Sequence, residues 1–269
     1  MIARPGANQR RLVVMRRAGL LLIALAGCGR IGFGPTDGID STGDGGVGTG
    51  DSGGVQMPAG LIAWYQLEEA NPTFGGFALD STGRGHDASC TACPMRVPGR
   101  PTGTGFAALF DGTDDHFLIS AAGTELDMTT FTITAWVKPE ARPGTFESIV
   151  SRPLGLTQNS FTVDHEAMGR LTYVSQGNST LFGMTQLGLG AWTHVAISFD
   201  GTFKRLYRNG NFEGSGSNGT GVTYDVNAML LGADMTNASA TNFFRGTIDE
   251  VRVYNRQLTD AEVGALAMQ

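Results

Sequence analysis

Apolar and polar residues alternate along much of the second half of the chain. The clearest example places large apolar residues at every second position, at Val195, Ile197 and Phe199. A period of two is typical of a β-strand with one face against a core. A second extended run covers residues 203–208, and Asn209 and Gly210 after it favour the two positive φ angles of a type I′ hairpin turn.

Similar short runs recur, separated by glycine, asparagine or aspartate. They cover residues 61–67, 106–110, 116–120, 131–138, 148–152, 160–164, 170–175, 179–185, 228–232 and 244–255. A helical pattern of useful length is present only at the C-terminus, where Thr259 and Glu262 have the spacing of a capping box. The pattern predicts an all-β fold, a two-sheet antiparallel jelly-roll sandwich with a short C-terminal helix.

Composition agrees with this fold class. The chain has 269 residues, enough for one large all-β domain or two small ones. Forty glycines and only 16% charged residues favour many turns and few long helices.

The N-terminus has the features of a secretion signal. The apolar run from Ala18 to Ala26 is too short to span a bilayer but suits a signal peptide. The ending Leu25-Ala26-Gly27-Cys28 resembles a bacterial lipobox, which implies that residues 1–27 are removed and that lipid is attached at Cys28. The alternative is a secreted protein with a free cysteine. Met15 is a second candidate start, because a complete signal follows it.

This resemblance predicts a protein anchored by lipid in the bacterial cell envelope. Gly29 is not the aspartate associated with inner-membrane retention, which favours the outer membrane. Removing residues 1–27 takes away five arginines and no acidic residue, so the formal charge changes from -6 to -11. A body of this charge repels nucleic acid and anionic lipid, and contact with the membrane is expected through the N-terminal lipid alone.

Residues 28–57 are rich in glycine, aspartate, serine and threonine and predict a flexible tether. A calcium-binding glycine-aspartate repeat is the alternative, although the aspartates keep no fixed period. The folded domain is then expected over residues 58–269. Within it, Cys90 and Cys93 are predicted to form a local disulfide, because Cys28 carries lipid and the compartment is oxidising. A reduced pair and a redox site are the alternatives.

Four segments together resemble a known family: residues 107–119, 131–139, 191–210 and 246–266. They are similar to the laminin G-like, concanavalin A-like jelly-roll domains common in bacterial surface proteins. The resemblance covers about residues 60–269 and implies two antiparallel sheets of roughly a dozen strands. The family includes lectins, adhesins, accessory modules of glycosidases and some enzymes, so the fold alone does not determine the function.

The resemblance also implies a structural calcium ion. On a flat strand, Asp249 shares a face with Val251 and Val253, which would turn its charge towards the core. In the family, an aspartate at this position and one in a D-x-S-G-x-G loop help to hold calcium, and Asp249 and Asp80 match those positions. The alternative is that hydrogen bonds from loop amides compensate the carboxylate.

Catalysis is not predicted. Glucanases of this fold carry E-x-D-x-x-E on one strand, but Thr247 and Arg252 stand where the outer glutamates should be. The four histidines show no spacing suited to zinc. Asp111, Asp114 and Asp115 are interpreted as turn residues.

Trp136 is the candidate for ligand binding, because it alternates with polar residues and sugar rings stack on such side chains. A structural role is its alternative, and Trp64 and Trp192 are predicted to pack in the core or on the sheets. Loops 175–180 and 234–242 offer amides and hydroxyls for glycan or for water. The sequence therefore predicts a membrane-anchored extracytoplasmic module that binds polysaccharide or glycoprotein. Binding to another envelope protein, or a structural envelope role, comes second and a glycan-degrading enzyme third.

Overall fold

The computed structural model describes residues 57–100, 105–121, 123–176, 179–218 and 220–269. The predicted signal peptide, Cys28 and the tether up to residue 56 lie outside this part. By its contacts the chain divides into Met1–Ser52 and Gly53–Gln269, and every described residue belongs to the second unit. Within these ranges, no helix has the length and apolar character needed to cross a membrane.

The described part consists almost entirely of short strands. In chain order these are β1 (Leu61–Tyr65), β2 (Phe77–Ala78), β3 (Ala88–Ser89), β4 (Met95–Pro98), β5 (Phe106–Asp111), β6 (Phe117–Ile119), β7 (Phe131–Pro139), β8 (Phe146–Leu154), β9 (Gln158–Glu166), β10 (Arg170–Ser175), β11 (Ser179–Gln186), β12 (Thr193–Phe199), β13 (Phe203–Arg208), β14 (Asn211–Ser217), β15 (Met229–Leu231), β16 (Asp234–Thr236), β17 (Ser239–Thr241) and β18 (Arg245–Tyr254). A 3-10 turn at Phe74–Gly76 follows β1, and the helix α1 (Asp260–Leu266) ends the chain.

The strands form two antiparallel sheets. Sheet A has the order β14-β13-β12-β7-β18-β5-β4, with β1 also paired to β18. Sheet B has the order β11-β10-β9-β8-β15-β6-β3-β2, and β16 and β17 form a separate hairpin. The predicted all-β sandwich with a short C-terminal helix is confirmed.

The core lies between the sheets and is built from the alternate apolar positions of their strands. Ile133 on β7 pairs with Ile197 on β12, and both side chains are buried in the core. Phe131 of sheet A meets Phe161 of sheet B with ring centroids 4.9 Å apart. Burying one such side chain stabilises the fold by about 1.5–3 kcal/mol. The face of each sheet that points away from this core is called its outer face below.

The predicted hairpin between β13 and β14 is confirmed. Asn209 and Gly210 have φ angles of 50° and 75°, as a type I′ turn requires. A Cβ atom on Gly210 would lie 2.9 Å from the Cα atom of Gly264 in α1. The turn and the helix therefore pack closer than a side chain would allow.

The helix covers one part of the outer face of sheet A. Its capping box is present, since Thr259 Oγ1 accepts a bond from the Glu262 amide and Glu262 Oε2 accepts one from the Thr259 amide. Its buried residues pack in a second apolar cluster composed of Ala196, Tyr207, Tyr254, Leu258, Val263 and Leu266. The helix does not cover the rest of this outer face.

The structure confirms the predicted disulfide but differs from the sequence prediction at several short strands. The disulfide between Cys90 and Cys93 is confirmed, with Cα atoms 5.1 Å apart. The short strands β2, β3 and β4 have no counterpart in the sequence prediction, because two to four residues carry too little alternation to detect. Residues 234–242, predicted as a loop, form the hairpin of β16 and β17.

Candidate functional site

A β-bulge brings the two candidate residues Trp136 and Asp249 together. They are cross-strand partners on β7 and β18, and the pairing register then shifts before Arg252. Glu250, inside the bulge, has a φ angle of 53°. One extra residue reverses which face the following side chains occupy. The prediction that Asp249 shares a face with Val251 is therefore wrong, and Asp249 lies on the outer face of sheet A.

Basic and aromatic side chains surround this pair. The guanidinium carbon of Arg100 lies 4.1 Å from the centroid of the Trp136 ring, and the His194 ring lies 5.4 Å from it. Arg100 comes from the segment after β4, and His194 is the register partner of Trp136 on β12. The outer face thus collects residues from three neighbouring strands and one loop.

A second layer of contacts continues towards β1. Trp64 Nε1 donates to Glu250 Oε2 at 2.6 Å, and Arg252 donates to the same oxygen at 2.9 Å. The Arg252 guanidinium carbon lies 5.0 Å from the Trp64 ring centroid. Elsewhere on the same outer face of sheet A, the Lys138 ammonium lies 5.1 Å from the Trp192 ring centroid.

All three tryptophans of the chain are therefore partly exposed members of this outer face. Trp64 and Trp192 were predicted to pack in the core or on the sheets. The structure places them on sheet A, because neither belongs to a buried apolar cluster. We call Trp64, Arg100, Trp136, His194, Asp249, Glu250 and Arg252 the tryptophan face.

Several buried polar atoms of this region have no hydrogen-bond partner among the described residues. On or beside the tryptophan face they are Thr134 Oγ1, Trp136 Nε1, both ring nitrogens of His194, Asp249 Oδ1, Nε and Nη1 of Arg252, and the Tyr254 hydroxyl. Leaving such a group unpaired costs about 1–3 kcal/mol. So dense a group of buried donors and acceptors is suited to hydrogen bonds with ordered water.

Burial also changes the pKa values of Asp249 and His194 on this face. Burial, followed by the negative charge of Glu250, raises the pKa of Asp249 to about 7, although Arg100 opposes this. Burial, followed by the positive charges of Arg252 and Arg100, lowers the pKa of His194 to about 3. His194 is therefore neutral at pH 7, with one ring nitrogen able to donate and the other able to accept.

Asp80, the other predicted calcium ligand, has hydrogen-bond partners on both carboxylate oxygens. Its Oδ1 accepts bonds from the amides of Trp64 and Thr82, and its Oδ2 accepts one from the His86 amide at 3.3 Å. The Thr82 hydroxyl donates to both oxygens, at 2.7 and 2.8 Å. These bonds lower the pKa of Asp80 despite its burial.

These contacts bear on the calcium that the resemblance implies. Asp249 keeps one carboxylate oxygen without a partner, which fits a cation ligand. Asp80 does not fit equally well, because loop amides and the Thr82 hydroxyl already occupy both of its oxygens. The assignment of calcium to Asp80 and Asp249 stays a prediction.

Asp111, Asp114 and Asp115 act as turn residues, as predicted. Asp111 Oδ1 accepts bonds from the amides of Thr113 and Asp114, and Asp115 Oδ2 accepts one from the Asp111 amide. Their carboxylate oxygens also lie within 4.8 Å of one another. Local hydrogen bonds of the turn account for this arrangement.

The sequence did not assign five members of the tryptophan face to a site: Trp64, Arg100, His194, Glu250 and Arg252. Arg100 lies in a loop whose path the alternation of apolar residues does not describe. The bulge at Glu250 has no local sequence signal, because its residues favour an ordinary strand. The sequence prediction placed His194 on the correct strand. Because Val195 points into the core, its neighbour His194 is expected on the outer face.

A family model described as the concanavalin A-like lectin/glucanases superfamily, Laminin_G_3, matches residues 111–264. The chain belongs to this family. A comparison with curated proteins finds no match.

Several solved structures are similar to this chain. Domain 4 of AbnA, an extracellular arabinanase from Geobacillus stearothermophilus solved with arabinotriose, is 23% identical, with a TM-score of 0.58 over 77% of this chain and 98% of that one. The Trypanosoma rangeli sialidase bound to the inhibitor DANA is 18% identical, with a TM-score of 0.60 over 79% of this chain and 33% of that one. The binding domain of Paraclostridial Mosquitocidal Protein 1 is 16% identical, with a TM-score of 0.59 over 77% and 52%.

At these identities the likeness is one of fold. The chain spans the whole arabinanase domain but about a third of the sialidase chain. A similarity over that third does not make this chain an enzyme.

Proposed function

We propose that this protein is a membrane-anchored extracytoplasmic binding module that recognises carbohydrate on the tryptophan face. Trp136 carries the proposal: it is a partly exposed indole outside the core, with a buried Nε1 that has no partner in the described residues. An aromatic ring offers an apolar surface for a sugar ring, and polar groups beside it fix the orientation of the hydroxyls.

The surrounding groups suit sugar hydroxyls. A hydroxyl both donates and accepts, and the partly exposed side chains of the tryptophan face include a donor on Arg100 and an acceptor on Glu250. The tryptophan face has two basic and two acidic side chains, so it favours a neutral, hydroxyl-rich ligand over a strongly charged one.

A relative supports the same class of ligand. Domain 4 of AbnA was solved with arabinotriose, and this chain covers 98% of it. We therefore include arabinan oligosaccharides among the first ligands to test.

The anchor is the second part of the proposal. Lipid on Cys28 holds the protein in the cell envelope, on the outer membrane, and residues 28–57 tether the domain of residues 58–269. The lipobox resemblance of residues 25–28 supports this. Cells grown with radiolabelled palmitate should label the wild-type protein but not Cys28→Ser. Equal labelling of the variant would contradict the anchor while leaving carbohydrate binding intact.

Carbohydrate binding is tested with the full chain on an array of immobilised polysaccharides, followed by calorimetry with the best oligosaccharide. Trp136→Ala should weaken binding by about tenfold or more, as expected for an aromatic anchor whose loss costs more than 1 kcal/mol. Phe182→Ala is the matched control, because Phe182 is an exposed ring with Arg170 stacked on it, on β11 of sheet B.

Two results would contradict this function. Equal binding by wild type and Trp136→Ala would remove the tryptophan face as the site. An array without any bound glycan, together with a specific envelope protein captured by the wild type, would favour protein adhesion instead.

A further inference from the structure

The outer face of sheet A continues beyond the tryptophan face, towards the end of β7 and the start of β18. Leu109 on β5 pairs with Met95 on β4 and with Thr247 on β18, and Thr247 also pairs with Lys138 on β7. Cross-strand partners point to the same side of a sheet. Because Ile248, the neighbour of Thr247, points into the core, this row of four side chains lies on the outer face.

A cavity of about 480 Å³ lies on this part of the outer face. Arg245 and Asp111, which contribute to it, are cross-strand partners two residues beyond Thr247 and Leu109. Pockets that hold small ligands measure about 300–1,000 Å³. We call this pocket the rim cavity, and its lining combines apolar and charged side chains, among them Met95, Leu109, Asp111, Asp115, Glu140 and Arg245.

Two charged groups of the rim cavity are free to contact a ligand. The side chains of Glu140 and Arg245 are exposed, and within the described residues neither forms a hydrogen bond or an ion pair. The carboxylates of Asp111 and Asp115 instead accept bonds from amides of their own turn. The cavity therefore presents one free guanidinium donor and one free carboxylate acceptor beside apolar side chains.

The rim cavity lies further from Trp136 than one sugar ring can reach. Trp136 and Glu140 are four residues apart along β7 and its end, and Asp249 and Arg245 are four residues apart on β18. At about 3.3 Å per residue, the separation is roughly 13 Å. Lys138 lies between the two places and is partly exposed. An oligosaccharide spans this distance, whereas a monosaccharide does not.

The charges of the rim cavity limit the class of chain. Its lining has three acidic side chains and one basic side chain. An anionic polysaccharide would meet this excess of negative charge. The hydroxyls of a neutral sugar, in contrast, can donate to Glu140 and accept from Arg245.

We propose that the rim cavity is a second subsite for the carbohydrate on the tryptophan face, and that the ligand is a neutral oligosaccharide chain lying along β7 and β18. This inference rests on the proposed function. Trp136 contacts one sugar unit, and Glu140 and Arg245 contact a unit further along the same chain. The length of the chain therefore determines the affinity, because only an oligosaccharide contacts both places.

NMR titration of the wild-type full chain is the first test. The probes are arabinose and arabinan oligosaccharides of increasing length, or the matching sugars of another polysaccharide that the array selects. Oligosaccharides that span about 13 Å should shift the Trp136 indole N–H signal and the Met95 methyl signal with a common Kd, at least tenfold below that of the monosaccharide. The methyl signal of Met184, an exposed methionine on β11 of sheet B, is the control and should not move.

Calorimetry of variants is the second test. Arg245→Ala and Glu140→Ala should each weaken oligosaccharide binding about tenfold, as expected for a lost hydrogen bond to a charged group, with a clearly smaller effect on the monosaccharide. Trp136→Ala should weaken the binding of both. Arg142→Ala is the matched control, because Arg142 is exposed and donates to Gln186 Oε1 on β11 at 3.1 Å.

The possible failures are distinguishable. Oligosaccharide binding that is lost in Trp136→Ala but unchanged in Arg245→Ala and Glu140→Ala would overturn the second subsite and leave the proposed function intact. Different Kd values at the Trp136 and Met95 signals would refute a single chain across both places. Preferential binding of polygalacturonate would refute a neutral ligand. A wild type that binds no glycan of the array would overturn both this inference and the proposed function.

Discussion

Acidification is expected to destabilise the protein through His194. The side chain is fully buried, and burial together with Arg252 and Arg100 lowers its pKa to about 3. A histidine in an unfolded chain has a pKa of about 6.5. Between these two values the unfolded chain binds the proton and the folded protein does not. The contribution of His194 to the free energy of unfolding therefore falls as the pH is lowered through this window.

The size of the effect follows from the two pKa values. At pH 7 the unfolded histidine is mostly neutral, so the two states differ little. At pH 5 it is almost fully protonated, while His194 in the folded protein remains neutral. Proton linkage then predicts a loss of about 2 kcal/mol between pH 7 and pH 5 from this residue alone.

Urea denaturation followed by circular dichroism at pH 7 and pH 5 measures this loss. Asp164 and Asp249 act in the opposite direction, because burial raises their pKa values and protonation then favours the folded state. The contribution of His194 is therefore the difference between the pH dependence of wild type and that of His194→Gln.

We expect His194→Gln to lose about 2 kcal/mol less than the wild type between pH 7 and pH 5. His116→Gln is the control for the replacement of an imidazole, because His116 is partly exposed and lies outside the tryptophan face. If His194→Gln and the wild type lose the same free energy, the neutral buried state of His194 is refuted.

Two further predictions concern stability at neutral pH. Gly232→Ala should cost roughly 2–5 kcal/mol in urea denaturation, because φ is +82° and the new Cβ would lie 2.3 Å from the Phe110 ring; Gly155→Ala, with φ +64° and open space, should cost clearly less. Thr259→Ala removes the capping box with Glu262 and should cost about 1 kcal/mol in thermal melting, so an unchanged Tm would show that the cap contributes nothing.

The architecture was predictable because long strands repeat their pattern. β7 and β12 have nine and seven residues, and their alternation predicts both the strands and the face that forms the core. The turn at Asn209 and Gly210 and the cap at Thr259 are local chemistry, so a few residues suffice to predict them.

The candidate site was only partly predictable. Trp136 and Asp249 were each selected from the sequence, but their contact depends on the bulge at Glu250. A bulge changes the face of every later residue, and neighbours on another strand decide where it forms. Arg100 reaches Trp136 from a loop, and Asp234 accepts a hydrogen bond from Asn159 on another strand. Such contacts join residues far apart in sequence.

The position of the tryptophans makes intrinsic fluorescence a probe of one surface of the protein. Trp64, Trp136 and Trp192 are the full set of indoles in the chain, and all three lie on or beside one outer face of sheet A. Intrinsic fluorescence therefore originates from that surface and not from the interior between the sheets. A bound molecule that excludes water there will shift the emission spectrum directly, whereas a molecule bound on the outer face of sheet B will leave it nearly unchanged.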